Sequence, residues 1–238
     1  MKTFKNKLYS SSVNGVNKIR PKVLLQFLEK NYTQPIEMRI NIPSSEIGSL
    51  TVLESTMLVS LLKISNPKVI FEYGTFLGYS TSLFLKNSEE NCKVISLDLG
   101  ADLEQTENID VTKILVNDDI NDRYLKIVQS KLGPIFIKED IKNKNERLEL
   151  IYGDSTRMSV NSMKLNKKVN FIFVDGGHDY RVIKKDTENA LKMLDTGIII
   201  WHDYDSKIHK DVTTFVNNFS IDKNIFHIEN TMLAFYIV

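Results

Sequence analysis

The run Val69-Ile70-Phe71-Glu72-Tyr73-Gly74-Thr75-Phe76-Leu77-Gly78-Tyr79-Ser80-Thr81 limits what this chain can fold into more than any other stretch. An apolar, β-branched burst ends in a carboxylate and a glycine. Three residues intervene, and a second glycine opens a Ser/Thr-rich helix start, so the run reads as strand, turn, helix. Glycine at the turn permits backbone angles that other residues resist and lets the main chain come close to a ligand. The free amides at the start of the following helix offer donors and partial positive charge to an anion. A plainer reading is a tight turn between a core strand and a core helix, with Glu72 capping the helix. Both readings require an α/β domain.

The spacing narrows the ligand. A dinucleotide fingerprint reads Gly-x-Gly-x-x-Gly and a phosphate loop ends in Gly-Lys-Ser/Thr, whereas here the order is Glu-x-Gly-x-x-x-Gly-Tyr-Ser. A carboxylate two residues before the first glycine repels a pyrophosphate and attracts an ammonium, which favours a zwitterion. On these residues the chain resembles the class I S-adenosylmethionine-dependent methyltransferases. Glu72-Tyr73-Gly74 with Gly78-Tyr79-Ser80 is most similar to their catechol-O-methyltransferase-like branch. The resemblance implies that Glu72 faces the methionine amino end across the Gly74 bend, and that Gly78, Tyr79 and Ser80 face its carboxylate.

Lys93-Val94-Ile95-Ser96-Leu97-Asp98 predicts a second strand ending in an acid, one βαβ unit downstream, where a carboxylate accepts hydrogen bonds from ribose hydroxyls. Asp98 supports an adenosine ligand in any nucleotide-binding α/β fold; it also reads as a solvated turn residue. A long connection follows. Its helical pattern at Tyr124, Leu125 and Val128 predicts an insertion carrying a helix at about 100–147, because a structureless loop of that length is improbable in a compact domain. The acidic cluster Asp118, Asp119 and Asp122 reads as a solvated surface rather than a metal site. Leu148-Glu149-Leu150-Ile151-Tyr152 predicts the third strand; the resemblance places Asp154, just after it, at the adenine amine.

Phe171-Ile172-Phe173-Val174 is the unbroken apolar run of a strand covered on both faces, and it leads into Asp175-Gly176-Gly177-His178-Asp179-Tyr180. A helix with Ile183, Ala190, Leu191 and Leu194 on its stripe is expected to stop at Gly197. Ile198-Ile199-Ile200-Trp201 then ends in His202-Asp203-Tyr204, and Val212, Phe215, Val216 and Phe219 mark another helix. Strands over 225–229 and 232–238 form a terminal hairpin, which a plain dinucleotide-binding fold lacks. The expected fold is a Rossmann-like, doubly wound, mostly parallel seven-stranded sheet with a C-terminal antiparallel hairpin, the class I methyltransferase fold. Residues 1–49 are expected as an N-terminal helical and irregular segment capping an acceptor pocket, and 50–238 as the S-adenosylmethionine-binding domain.

Open α/β sheets bind ligands outside the carboxyl ends of their strands. Glu72, Asp98, Asp154, Asp175, His178, His202 and Asp203 all fall at or just after such ends. Methyl transfer from a sulfonium needs a nucleophile placed in line and relieved of its proton. His178 is the candidate base, since an ordinary imidazole is largely neutral near pH 7; a structural histidine in the turn is the alternative. The resemblance puts a base three residues after the strand-four Asp, where His178 follows Asp175, although the family's usual residue there is lysine. It also implies a divalent cation, Mg or Mn, on Asp175, His202 and Asp203, and His202 favours a transition ion over magnesium. Closer still, the DGGHDY and WHDY runs are similar to a bacterial and phage-type methyltransferase subgroup. A hydroxyl on a small molecule or sugar is the expected acceptor. The other readings are a nicotinamide-dependent oxidoreductase, opposed by the missing third glycine and the hairpin, and a silent binding protein retaining the fold.

Composition sets the remaining bounds. At 238 residues the chain suits one α/β domain, and 31 basic against 30 acidic residues leave no global field for nucleic acid or an anionic membrane. Its single cysteine, Cys92, excludes an intramolecular disulfide and a cysteine-cluster metal site. No window approaches the roughly 20 apolar residues of a membrane span, nor is a signal peptide evident, so a cytoplasmic protein is expected. Oligomeric state is left open, a homo-oligomer being compatible.

Overall fold

The computed structural model describes residues 1–100 and 110–238; the part of the expected insertion at 101–109 lies outside them. In chain order the elements are α1 (Lys2–Tyr9), β1 (Gly15–Ile19), α2 (Pro21–Asn31), α3 (Val52–Ser65), β2 (Val69–Tyr73), α4 (Tyr79–Asn87), β3 (Lys93–Asp98), α5 (Asp118–Leu132) and α6 (Lys138–Lys142). They continue with β4 (Leu148–Tyr152), β5 (Val169–Val174), α7 (Tyr180–Met193), β6 (Leu194–Trp201), α8 (Lys210–Phe219), β7 (Asn224–Ile228) and β8 (Ala234–Ile237). The described residues form one eight-stranded sheet in the order β1-β7-β8-β6-β5-β2-β3-β4. Only β8 runs antiparallel to its neighbours, β6 and β7.

The sheet is doubly wound as expected, with one strand more than the seven read from the sequence. The addition is β1, which pairs in parallel with β7 at the edge. Its residues Gly-Val-Asn-Lys-Ile are none of them fully buried, so no apolar alternation announces it. Residues 1–31 therefore join the sheet and the core: Phe4, Leu8, Leu24 and Leu28 pack in one apolar cluster with α3, α4 and the strands of that face. The opposite face is closed by α7 and α8 through Ile183, Ala190, Met193, Val212, Phe215 and Val216. Apolar burial on both faces is what the unbroken runs of β2, β5 and β6 supply.

Helix α3 shows how the start is fixed. Thr51 and Glu54 form a reciprocal capping box, and beyond Leu53 nearly every residue is buried, because the helix lies between the sheet and α2. Trp201 is fully buried with its Nε1–H donating to Thr187 Oγ1 at 2.9 Å, which makes it core.

Gly197 does not stop α7, which ends at Met193; it lies inside β6 at φ +154°, and a Cβ there would stand 2.1 Å from the Asn170 carbonyl oxygen of the neighbouring strand. Close strand approach, not helix termination, requires that glycine. Gly197→Ala is expected to destabilise the chain by about 3 kcal/mol or more. Gly133→Ala, at φ +60° and ψ −170° with open space around it, should cost less, about 1–2 kcal/mol, from backbone strain alone. Urea unfolding of both variants checks the contrast, and equal losses would contradict it.

Candidate functional site

A cavity of about 760 Å³ opens at the carboxyl ends of β2, β3 and β5. Strands β2 and β5 are neighbours there, yet their following helices go to opposite faces, so the two chains part and leave a crevice between them. Its walls include Gly74, Phe76, Asp98, Gly153 to Thr156 and Asp175 to His178. Across the opening, α5 contributes Leu125, Lys126 and Gln129, and the segment before α3 contributes Ile47, Gly48 and Ser49.

Two carboxylates hold the glycine loop. Asp98 Oδ2 accepts the Thr75 and Phe76 amides at 2.7 and 2.9 Å, while Oδ1 accepts the Gly100 amide at 2.7 Å and Gln129 Nε2 at 3.0 Å. Behind the wall, Glu72 is fully buried; its Oε2 accepts from the Ser96 and Thr81 hydroxyls, each at 2.5 Å, the Ser80 hydroxyl stands near, and among the described residues Oε1 has no hydrogen bond of normal geometry. Burial pushes the Glu72 carboxyl up to about 7, the hydroxyls oppose the rise and the nearby Asp175 adds to it. Gly74 sits at φ +90°, where a Cβ would meet the Asp175 carbonyl oxygen at 2.0 Å, so this glycine lets the β2 and β5 ends touch.

The other expected loop residues are turned inward. A Cβ on Gly78 would run into Ile137, Tyr79 donates its hydroxyl to the Asn41 carbonyl and packs edge-on against Phe136, and Ser80 is buried. Asp154 lines the cavity but caps its own turn, accepting from the Thr156 amide and hydroxyl at 2.9 and 2.6 Å.

At the ends of β5 and β6 the structure brings together the titratable residues read from the sequence. His202 Nδ1 lies 3.1 Å from Asp175 Oδ1 and 3.2 Å from Asp203 Oδ2; His178 Nε2 lies 3.2 Å from that same Asp203 oxygen. His178 Nδ1 reaches Asp122 Oδ1 on α5 at 2.8 Å, and His209 Nδ1 reaches Asp118 Oδ1 at 2.5 Å. Burial alone would lower the His178 pKa, but Asp122 and Asp203 overcome it and push it up to about 10. The expected neutral imidazole is thus an imidazolium in this arrangement. Burial is likewise outweighed at His202, held well above its ordinary value by Asp175 and Asp203; Asp203 is held well below its own by His202 and His178, and burial raises Asp175.

The ligand atoms of Asp175, His202 and Asp203 lie within 4.8 Å of one another, two carboxylates and an imidazole that suit a transition-metal cation. Asp118, Asp122, His178 and His209 are equally close. There the two imidazoles stack at 3.6 Å, so their ring-plane lone pairs run side by side instead of converging on one point.

Sequence reasoning missed Glu54, His209 and Gln129. Glu54 Oε1 accepts the Met232 amide at 2.8 Å and stands 3.6 Å from His202 Nε2, tying α3 and the terminal hairpin to the site. The i, i+4 spacing of Asp118 and Asp122 was the available signal that α5 turns a carboxylate face inward. His209 and Gln129 sit in no motif, and only the tertiary fold places them.

A family model described as "Methyltransferase domain" matches residues 71–204, more than half of the chain. Among solved structures, the SAH-bound methyltransferase PaMTH1 of Podospora anserina is similar at 13% identity and TM-score 0.54, over 99% of this chain and 94% of that one. An O-methyltransferase from Bacillus cereus in complex with SAH is similar at 18% identity and TM-score 0.50, over 91% and 88%. At such identities the likeness concerns the fold. A search of curated proteins finds no match.

The Glu72 carboxyl makes stability depend on pH. Its folded pKa lies above the ordinary 4.5, at about 7, so across that window the native state binds the extra proton and stability falls as pH rises. Glu72→Gln removes this loss. The variant should gain on the wild type by up to roughly 3 kcal/mol between about pH 4 and pH 8 in urea unfolding. A gap that does not change with pH would contradict the assignment.

Proposed function

The chain belongs to the methyltransferase domain family and is an S-adenosylmethionine-dependent methyltransferase, and from that premise we propose that its acceptor is a hydroxyl group on a small molecule or sugar. The observation that carries the reading is the crevice at the strand ends, with its glycine loop held by Asp98 and backed by the buried carboxyl of Glu72. The ammonium of a methionine moiety in front of the loop would draw the Glu72 carboxyl, which burial raises, back toward its charged form. Gly74, Asp98 and Asp175 are the proposed cofactor residues on the cavity wall, with Glu72, Gly78, Tyr79 and Ser80 as the layer that fixes the loop behind it; Asp154 lies on the wall with its carboxylate committed to its own turn.

Methyl transfer demands little chemistry of the protein beyond placement and proton removal. His178 is the proposed base, in the form that has released its own proton through the partly exposed Asp122. Asp203 then keeps the His178 ring in position through Nε2. Asp175, His202 and Asp203 would hold a divalent cation, which when bound lowers the pKa of an acceptor hydroxyl. Glu54 steadies His202 from the other side.

Residues 46–49 and α5 are proposed to close over the acceptor: Tyr124 donates its hydroxyl to Glu46 Oε2 at 2.9 Å and Gly48 lies against Leu125. Placement in the bacterial and phage-type subgroup rests on the DGGHDY and WHDY runs alone. No described helix is long and apolar enough to cross a membrane; a cytoplasmic site of action is our proposal.

Calorimetry should show S-adenosylhomocysteine binding where NAD gives no heat. His178→Gln should bind S-adenosylhomocysteine within about twofold of the wild type while kcat, followed by S-adenosylhomocysteine release over a panel of hydroxylated acceptors, drops roughly 10²- to 10⁴-fold. Unchanged turnover in His178→Gln would remove the base assignment.

A further inference from the structure

One carboxylate on the cavity wall is left without a well-formed hydrogen bond among the described residues. Asp186, on α7, is 1% exposed and lines the cavity; among the described residues neither Oδ1 nor Oδ2 has a hydrogen bond of normal geometry, the Ser155 hydroxyl standing near without completing one. The neighbouring Tyr73 hydroxyl, also on the wall, is buried without a partner as well. Leaving such a group dry and unpaired costs about 1–3 kcal/mol or more, and an apolar residue at the same place would avoid that. A ligand that brings its own donor into the cavity supplies the missing bond.

The position of Asp186 suggests which donor. Helix α7 packs on the turn over Ser155–Arg157, and the cavity wall passes from Gly153 to Thr156 directly to Val182 and Asp186. This is the end where the family pattern sets the adenine ring against Asp154. Yet Asp154 is committed: Oδ1 takes the Thr156 amide and hydroxyl, Oδ2 pairs with Arg157 Nε at 3.2 Å, and its side chain is 38% exposed. A carboxylate in water discriminates poorly between bases, whereas a buried one without partners discriminates strongly, because a ligand lacking the donor leaves it unpaired.

Resting on the donor assignment above, we propose that Asp186, and not Asp154, accepts the exocyclic amine of the adenine and so selects the adenosyl donor. Burial holds the Asp186 carboxyl up at about 7, with Asp154 adding to the rise and Ser155 opposing it. The acid form therefore persists near neutrality, and it carries both the acceptor for the amine and a donor for the adjacent ring nitrogen. That is the complement of adenine's pairing edge. An amide in the same place presents the same pair of groups.

The test is calorimetric and needs no acceptor. S-Adenosylhomocysteine is compared with its analogue lacking the 6-amino group, on wild type, Asp186→Leu, Asp186→Asn and Asp154→Ala. Wild type, Asp186→Asn and Asp154→Ala should each prefer the aminated ligand by about tenfold or more. Asp186→Leu should bind the two alike, and its melting temperature should equal or exceed the wild type's, since an unpaired buried acid has been removed. Preference retained in Asp186→Leu, or lost in Asp154→Ala, overturns the assignment to Asp186 while leaving the donor intact. Failure of the wild type to bind S-adenosylhomocysteine at all overturns both.

Discussion

Two acids at the ends of adjacent strands, Glu72 on β2 and Asp98 on β3, decide the shape of the glycine loop, and every other feature of the site is placed relative to that loop. Asp98 takes two consecutive amides of the turn, and charge-assisted bonds of this kind contribute about 1.5–3 kcal/mol each. Thr75 donates its hydroxyl to Ser96 Oγ, whose own proton goes to Glu72, so the two acids are joined by a short hydroxyl chain across β2 and β3. Gly74 completes the arrangement because only a residue without Cβ allows the Asp175 carbonyl to approach. The loop is thus stitched to both flanking strands before any ligand arrives, which is the preorganisation that binding a zwitterion and an adenosine requires.

The same strand ends carry an alternating chain of acids and imidazoles, from Asp175 through His202, Asp203 and His178 to Asp122 on α5. Such a chain keeps its histidines charged because each is flanked by carboxylates in a place from which water is largely excluded. It also fastens α5 to the sheet. Two carboxylate–histidine contacts and the Gln129 bond to Asp98 connect this helix to the ends of β5 and β3 and the start of α8, so the helix at the cavity mouth is held by the same groups that line the floor.

The alternation of apolar runs and helical stripes made the doubly wound sheet and its terminal antiparallel strand legible, and strand-end logic brought Asp175, His178, His202 and Asp203 to one edge. What the sequence concealed has physical reasons. The edge strand β1 buries too little to leave a period-two pattern. Gly197 carries the local signature of a helix stop, while the force on it comes from Asn170 across the sheet. Asp118 and Asp122 look solvated in sequence because the histidines that receive them are some 50 to 90 residues away in the chain. Asp186 lies in a Lys-Lys-Asp-Thr run that reads as an outer helix face, and only the packing of α7 shows it to be buried on a cavity wall.

A crystal structure of the chain grown with S-adenosylhomocysteine tests the binding site most directly. The ligand is expected in the crevice between the β2–β3 ends and α5, its amino acid end at the Gly74 loop and its adenine toward the Gly153–Thr156 turn. An empty crevice with the ligand bound elsewhere, or a ligand lying in it with its ends exchanged, would remove the site assignment and leave only the fold.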